Sequence, residues 1–260
     1  LAGRNRNFAM KQIFIILVST VCLSLSNVIN AQNKTQDSVF LAPNPLTARW
    51  SYIETDGNGK QIATIYNSVE SIDGDAVNGR IKVRVEEVSV ASPKDTIKSY
   101  MFYRFKDGEI MVDTGAMLSM EFFGDYIKEE YPDLTDEQMK EVLEEVKSRF
   151  AKISGEIRGI PRYPQTGKLP NYQFQFKFTI MSMKLVGEER RIVGTEKIQT
   201  EAGLFDCFIM EETISTKVLM VKETEKIKSW YAYGIGLVKE ITYDKHGKLI
   251  STMTLNEINW

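Results

Sequence analysis

The chain has 260 residues, of which 43% are hydrophobic and 26% are charged. This balance is typical of a globular protein and excludes a disordered or fibrous one. The formal net charge is −2, which gives no strong positive field, so we expect no nucleic-acid partner.

The first segment of the chain has the features of an export signal. Residues 1–9 precede Met10 and are interpreted as an over-extended gene start. From Met10 the chain gives a lysine, an apolar stretch over residues 13–25 and a small residue at Ala31, in the order of a secretory signal peptide. The apolar stretch is too short to span a bilayer comfortably. We therefore predict a signal peptide over residues 10–31 and an exported protein, either periplasmic or extracellular.

Cysteine usage bears on anchoring and on stability. Cys22 lies inside the apolar stretch, and Val21 and Ser19 stand where a lipoprotein signal needs a small and an aliphatic residue, so we expect no lipid anchor. After cleavage Cys207 is the remaining cysteine, which means that no internal disulfide can form. Without a second long apolar stretch, we expect a soluble mature protein with no transmembrane span.

The mature chain begins with a polar leader and continues as strands. Residues 32–48 hold two prolines among polar side chains, which predicts an extended leader before a single β-rich domain over residues 49–260. Within residues 80–90 the apolar side chains alternate and then change phase after Glu86–Glu87. A change of phase in an alternating strand predicts a β-bulge at that pair.

One amphipathic helix interrupts the strands. Thr135 and Gln138 have the spacing of a capping box at its start. Apolar residues then recur at helical spacing as far as Phe150, so one face of the helix is expected to pack on the sheet. The sequence predicts a helix over about residues 135–151, followed by a proline-containing loop over residues 154–171.

The strands after the helix are joined by short turns. Residues 172–180, YQFQFKFTI, alternate apolar and polar side chains without error, which predicts one buried and one wet face. Turn-forming residues follow at 186–190, 201–206 and 244–248, the last closing a hairpin between 237–243 and 248–255. Strands joined this closely must be antiparallel. The fold predicted is mainly β, an antiparallel curved open sheet, half-barrel or β-roll with one inserted helix.

Residues that could support catalysis are sparse. The single histidine, His246, falls in a predicted turn, and one histidine with one mature cysteine does not make up the common zinc clusters. Adjacent carboxylates such as Glu86–Glu87 point to opposite faces of a strand. A carboxylate pair assembled from distant strands stays open from sequence alone. We expect no enzymatic activity, no cofactor and no bound metal.

The aromatic side chains of two strands are the candidate ligand-binding residues. They are expected either to line a pocket for an apolar ligand or to form the core between sheet and helix. An alternating strand does not distinguish these two arrangements. The candidate ligand face comprises Phe174, Phe176, Phe178, Trp230, Tyr231 and Tyr233.

The C-terminal third of the chain resembles the TapB-like family of exported bacterial domains of unknown function. The resemblance is carried by GTEKIQTEAGLFDCFIMEE (194–212) and WYAYGIGLVKEITYDKHGKLISTMTLNEI (230–258), preceded by GKLPNY (167–172). Glu201 stands where the family pattern has a proline. The resemblance implies an antiparallel β-rich envelope protein, similar in architecture to periplasmic lipoprotein carriers, and it implies no catalytic residues.

Two functional hypotheses follow from these patterns. The first is a non-enzymatic module that binds a lipid or another apolar ligand on a curved sheet, with the helix as a lid. The second is a structural or interaction protein of the cell envelope that binds a protein partner. A ligand-sized enclosed cavity favours the first hypothesis, and a fully packed interior favours the second.

Overall fold

The computed structural model describes residues 48–259, except 75–78, 95, 107, 118–123, 125–126, 129–132, 179–180 and 219. The predicted gene-start extension, signal peptide and nearly all of the leader lie outside the described residues. Within the described part of the chain, no helix is both long and apolar enough to cross a membrane.

Fourteen strands make up the described fold. In chain order they are β1 (Arg49–Asp56), β2 (Gln61–Asp73), β3 (Arg80–Ser89), β4 (Ile97–Lys106), β5 (Glu109–Val112), β6 (Phe150–Gly155), β7 (Ile157–Pro161), β8 (Gly167–Lys168), β9 (Tyr172–Phe178), β10 (Met181–Thr200), β11 (Gly203–Val218), β12 (Val221–Ala232), β13 (Gly236–Asp244) and β14 (Leu249–Asn259). A helical turn, Thr114–Met117, follows β5, and a longer helix, Asp136–Arg149, precedes β6. The predicted mainly β fold is confirmed.

All described strand pairs are antiparallel, and they form one strongly curved sheet. The strand order is β6-β9-β10-β11-β12-β13-β14-β1-β2-β3-β4-β5-β7, with β8 pairing beside β9 on β10. The two edge strands, β6 and β7, are consecutive in the chain and separated by Glu156 alone. The chain therefore connects one edge of the sheet directly to the other, and the sheet is a nearly closed barrel. This agrees with the predicted curved, half-barrel architecture.

Gly155 provides the connection between the two edges. Its φ is +85°, in the left-handed region that favours glycine. A Cβ atom at this position would collide with the backbone carbonyl of Gln173 on β9. The next residue, Glu156, donates its backbone N–H to that same carbonyl at 3.0 Å. The close approach of the β6 and β9 backbones, next to the connection between the two edge strands, therefore requires glycine.

The inserted helix begins as predicted and ends earlier. Thr135 and Gln138 form the capping box: the Thr135 N–H donates to Gln138 Oε1 at 2.9 Å, and the Gln138 N–H donates to Thr135 Oγ1 at 3.3 Å. Met139 and Leu143 pack partly buried against the core. Phe150, expected in the helical stripe, instead begins β6.

Two further sequence predictions, of a loop and of a bulge, do not agree with the structure. The sequence predicts a loop over residues 154–171, but this segment contains β7 and β8. The bulge expected at Glu86–Glu87 is absent, because β3 pairs in continuous register with β4 through both residues. The irregularity lies on the neighbouring strand, where the register shifts around Glu70. Glu87 therefore keeps the inward phase of Val83 and Val85.

The interior of the barrel is filled by side chains. Tyr52, Tyr103, Phe174 and Phe176 are among the largest fully buried side chains. A void next to Tyr103 and Tyr231 has a volume of about 10 Å³, the size of one water molecule.

Candidate functional site

A large open groove lies on the outer face of the barrel. It lies over β8 and β10–β13 and has a volume of about 750 Å³, within the range of ligand sites. Most of its lining residues are charged or polar, but apolar atoms, including those of Leu169, Ile227 and Tyr243, contribute about half of the lining surface. The charged side chains are Lys168, Glu189, Arg190, Arg191, Glu211, Glu212, Lys226 and Lys228. We call this concavity the β10 groove.

A β-bulge on β10 shapes the groove. Glu188 pairs with Thr213 and Arg191 pairs with Glu211, so Glu189 and Arg190 together lie opposite a single residue of β11. Glu189 has a φ of +56°, which is uncommon for a residue with a side chain. Its carboxylate accepts a hydrogen bond from the Thr213 hydroxyl at 2.8 Å. The extra residue breaks the alternation of β10 and turns Arg190 into the protein.

Arg190 forms the floor of the groove and is almost fully buried, at 2% exposure. Its Nε donates to Glu212 Oε2 at 2.9 Å, and its Nη1 donates to the Pro170 carbonyl at 2.7 Å. Its Nη2 donates to the carbonyls of Arg158, at 3.1 Å, and Gly159. One guanidinium therefore joins β10, β11, β7 and the segment before β9.

Glu212 is the buried counter-ion of Arg190. Burial raises the pKa of the Glu212 carboxyl, and the neighbouring Arg190 charge opposes that rise. A buried ion pair of this kind stabilises a fold only when its remaining hydrogen bonds are satisfied. The carbonyl acceptors described above meet this condition for Arg190.

The Arg190 guanidinium also lies over an aromatic ring. The Tyr172 ring centroid is 4.9 Å from the guanidinium carbon, a cation–π distance. Tyr172 pairs with Gly187 across β9 and β10, and any Cβ at Gly187 would collide with the Tyr172 ring. Gly187 therefore admits the ring that supports the groove floor from below.

A second open groove, of about 450 Å³, lies over β14, β1, β2 and β3. Its cationic side chains are Arg49 and Arg84, and its carboxylates are Glu86 and Glu257. Arg84 Nε lies 2.8 Å from Glu86 Oε1. The charges of this groove are balanced, in contrast to those of the β10 groove.

A family model described as DUF3108-like matches residues 47–255. The match covers most of the chain and the whole described sheet except its last residues. The chain belongs to the DUF3108-like family. No curated protein matches the sequence.

Two solved structures share the fold of this DUF3108-like protein. A candidate lipoprotein from Parabacteroides distasonis is 19% identical, with a TM-score of 0.59, over 85% of this chain and 98% of that chain. A candidate exported protein with a YmcC-like fold from Bacteroides fragilis is 15% identical, with a TM-score of 0.57, over 90% of this chain and 100% of that chain. At these identities the similarity establishes the fold alone.

The aromatic residues predicted as a ligand face are distributed over β9, β12 and the loop after β12 in the DUF3108-like domain. Phe174 and Phe176 are buried on β9, with ring centroids 6.1 Å apart. Trp230 is buried on the opposite face of β12 from Tyr231, and its indole N–H donates to Glu196 Oε2 at 2.8 Å. The side chain of Phe178 is not among those the structure describes. The ligand-face assignment stays a prediction.

Tyr233 is the exposed member of the predicted set, with 47% of its surface accessible. Its ring meets Phe208 edge-on at 5.7 Å, and Tyr231 stacks on the same Phe208 at 5.9 Å. Aromatic packing therefore extends from the core to the surface at the loop between β12 and β13.

The two residues considered for catalysis lie on different elements. Cys207 on β11 is buried, and burial raises the pKa of its thiol to about 12. His246 is exposed in the β13–β14 turn, where its backbone N–H donates to Asp244 Oδ1 at 2.8 Å. Within the described residues, no group of His, Cys, Asp and Glu side chains could hold a metal ion.

Sequence reasoning missed the central residue of the β10 groove. The segment VGEER (186–190) has the composition of a turn, but it lies within strand β10. The observable signal is two polar pairs, Glu188–Glu189 and Arg190–Arg191, between the apolar residues of one long strand. Such a pattern also fits an exposed hairpin, so the buried partner Glu212 had to be known to identify the bulge.

Proposed function

We propose that this protein is an exported, non-enzymatic binding protein of the cell envelope that takes up its ligand in the β10 groove. The observation that carries the proposal is the contrast between a filled barrel interior and an open outer groove of about 750 Å³. Binding sites are usually concave, largely pre-formed and of this size. Arg190 and its four acceptors supply the rigid floor that a pre-formed site needs.

Export is proposed from the predicted signal peptide over residues 10–31. The two structural relatives are described as exported or as a lipoprotein, which is consistent with an envelope location. Membership of the narrower TapB-like group is proposed from the C-terminal pattern. We further propose that the mature protein carries no lipid anchor, which the mass of its N-terminal peptide will test.

A protein partner is the second candidate function, and the edge of β10 favours it. β9 pairs with β10 over residues 181–187, and β8 pairs with it at Arg191 and Ile192. Among the described strands, residues 194–200 pair on one side only, with β11. An open strand edge can accept a strand from another protein.

A lipid or apolar ligand on the aromatic residues remains a further candidate. The contact of exposed Tyr233 with Phe208 is the feature that favours it, because this aromatic surface reaches solvent. An enclosed site inside the barrel would require Phe174 and Phe176 to move from their buried positions. Mass spectrometry of organic extracts from natively purified protein tests this alternative.

Site-specific photo-crosslinking in intact cells tests the proposed function. A benzophenone amino acid is placed at Tyr243 in the β10 groove, at Lys197 on the β10 edge, and at the exposed control position Lys184. The proposal expects adducts at Tyr243 and none at Lys184, in protein recovered from the envelope fraction. Adducts confined to Lys197 would replace the groove with the strand edge. Full-length protein retained in the cytoplasm would contradict export.

A further inference from the structure

The β10 groove has a charge opposite to that of the whole chain. Its lining contains five cationic side chains and three carboxylates, a formal balance of +2, whereas the chain has a net charge of −2. A concave site with an excess of one charge concentrates ions of the other sign. The groove therefore favours an anionic ligand over a neutral one.

The cations at the rim are not neutralised equally. Arg191 is paired with Glu211, with 2.7 Å between Nη2 and Oε2. Lys168 and Lys226 are exposed, and the structure records no ion pair for either of them among the described residues. Lys228 lies 5.0 Å from the Trp230 ring centroid. Lys168 and Lys226 are thus the cations best placed to receive an anionic group of a ligand.

The rest of the lining suits a ligand rich in hydroxyl groups. Glu189 and Glu211 provide carboxylate acceptors at the rim, and Asn171 provides both a donor and an acceptor. Tyr243 adds an aromatic face with a polar end. Apolar and polar atoms share the lining about equally, so the ligand must offer both kinds of surface, as a sugar does with its ring faces and its hydroxyl groups.

We infer that the β10 groove binds an acidic oligosaccharide, a sugar chain carrying carboxylate or similar anionic groups. This inference rests on the proposed function and names the ligand class of the same site. Lys168 and Lys226 bind the anionic groups through charge-assisted hydrogen bonds, and Tyr243 packs against a sugar ring. The concave shape fits a narrow chain better than the flat surface of an anionic membrane.

Isothermal titration calorimetry of the mature protein with trigalacturonate tests the inference, with maltotriose as the neutral trisaccharide of the same length. We expect trigalacturonate to bind at least about tenfold more tightly than maltotriose, a difference that each added ion pair can supply. Its affinity should fall as salt rises towards physiological ionic strength, because exposed charges are screened. Equal affinities for the two sugars would overturn the inference.

Matched variants locate the binding. K168A/K226A should weaken trigalacturonate binding about tenfold or more, whereas K184A, at an exposed lysine of β10 outside the groove, should not change it. An unchanged affinity in K168A/K226A would contradict the assignment. A third arm uses phosphatidylglycerol vesicles: lysine-dependent binding of vesicles without binding of trigalacturonate would replace the sugar with a membrane surface.

The two proposals fail in different ways. If the Tyr243 photo-crosslinker captures a ligand but trigalacturonate does not bind, the groove remains the site and the acidic-sugar class is wrong. If neither the crosslinker nor the titration gives a signal, the proposed function fails together with the inference.

Discussion

Arg190 and Glu212 form a buried ion pair on adjacent strands, with 2.9 Å between Nε and Oε2 and side-chain exposures of 1% and 3%. The pair exists because a bulge on β10 turns Arg190 inward, opposite Glu212 of β11. The same guanidinium holds carbonyls of β7 and of the segment before β9. Arg190 therefore connects the groove, the core and the edge strand β7.

Loss of Arg190 should destabilise the fold strongly. R190M leaves the Glu212 carboxylate buried without a counter-ion, so we expect a loss of about 3–5 kcal/mol in the free energy of unfolding. The double variant R190M/E212L removes the stranded charge and should recover part of that loss. Urea unfolding measures both variants. The pairing would be contradicted if E212L lowered the stability of R190M by as much as it lowers the stability of the parent protein.

Gly155 should be far less tolerant of a side chain than another glycine with the same backbone angle. Gly155 and Gly247 both have a φ of +85°, but a Cβ at Gly247 meets nothing within 4 Å. G247A should cost about 1–2 kcal/mol, the penalty of a left-handed alanine. G155A should cost at least about 2 kcal/mol more, because the Gln173 carbonyl must move.

Thermal or urea unfolding of the two alanine variants gives the comparison directly. Equal losses of stability would mean that the backbones of β6 and β9 do not approach as closely as described, and the account of barrel closure at Gly155 would fail.

Two buried tyrosine hydroxyls should respond differently to removal. Tyr52 donates its hydroxyl to the Leu237 carbonyl at 3.0 Å, so Y52F should cost about 1–2 kcal/mol. The Tyr103 hydroxyl is buried without a hydrogen-bond partner among the described residues, so Y103F should be neutral or stabilising by up to about 1 kcal/mol. Chemical unfolding distinguishes them. A clear loss in Y103F would indicate a water molecule in the adjacent void of about 10 Å³.

Two inward carboxylates should make stability depend on pH. Burial raises the pKa of Glu54, with a contribution from nearby Glu87, and burial also raises the pKa of Glu87. At pH values between the ordinary carboxylate pKa and the raised pKa of the folded state, the folded protein therefore binds more protons than the unfolded protein. Stability from this source is present at acid pH and is lost as the pH rises through that window.

Substitution by glutamine should remove this loss. E54Q and E87Q should be more stable than the parent protein at neutral pH and no more stable at a pH below the ordinary carboxylate range. Unfolding in urea at both pH values checks the sign. A stabilisation that is larger in acid than at neutral pH would contradict the burial of these carboxylates.

The sequence was sufficient for those parts of the fold that depend on local patterns. Thr135 and Gln138 gave the start of the helix because a capping box is local, and alternation in residues 172–178 gave a buried face because one side of β9 is wet. The predicted end of the helix is too late, because Phe150 continues the helical spacing although it pairs in β6.

The candidate site depends on contacts that no local pattern records. Arg190 is separated from Glu212 by 22 residues and from Gly159 by 31, and a polar run in a long strand does not show which side chain turns inward. The change of phase in the apolar residues at Glu86–Glu87 predicts a bulge, but β3 pairs in continuous register through both residues. Glu87 lies on the inner face of β3 with Val83 and Val85. Inward and outward side chains therefore still alternate along β3, although apolar and polar side chains do not.

The most direct test of the central claim, that the barrel interior is filled and the ligand site lies outside it, is native mass spectrometry of protein purified gently from its source. The account predicts that no ligand is retained inside the barrel, so the measured mass is that of the polypeptide. Any ligand that the parent protein does retain should be absent from K168A/K226A. A retained lipid whose binding is unaffected by K168A/K226A would contradict it.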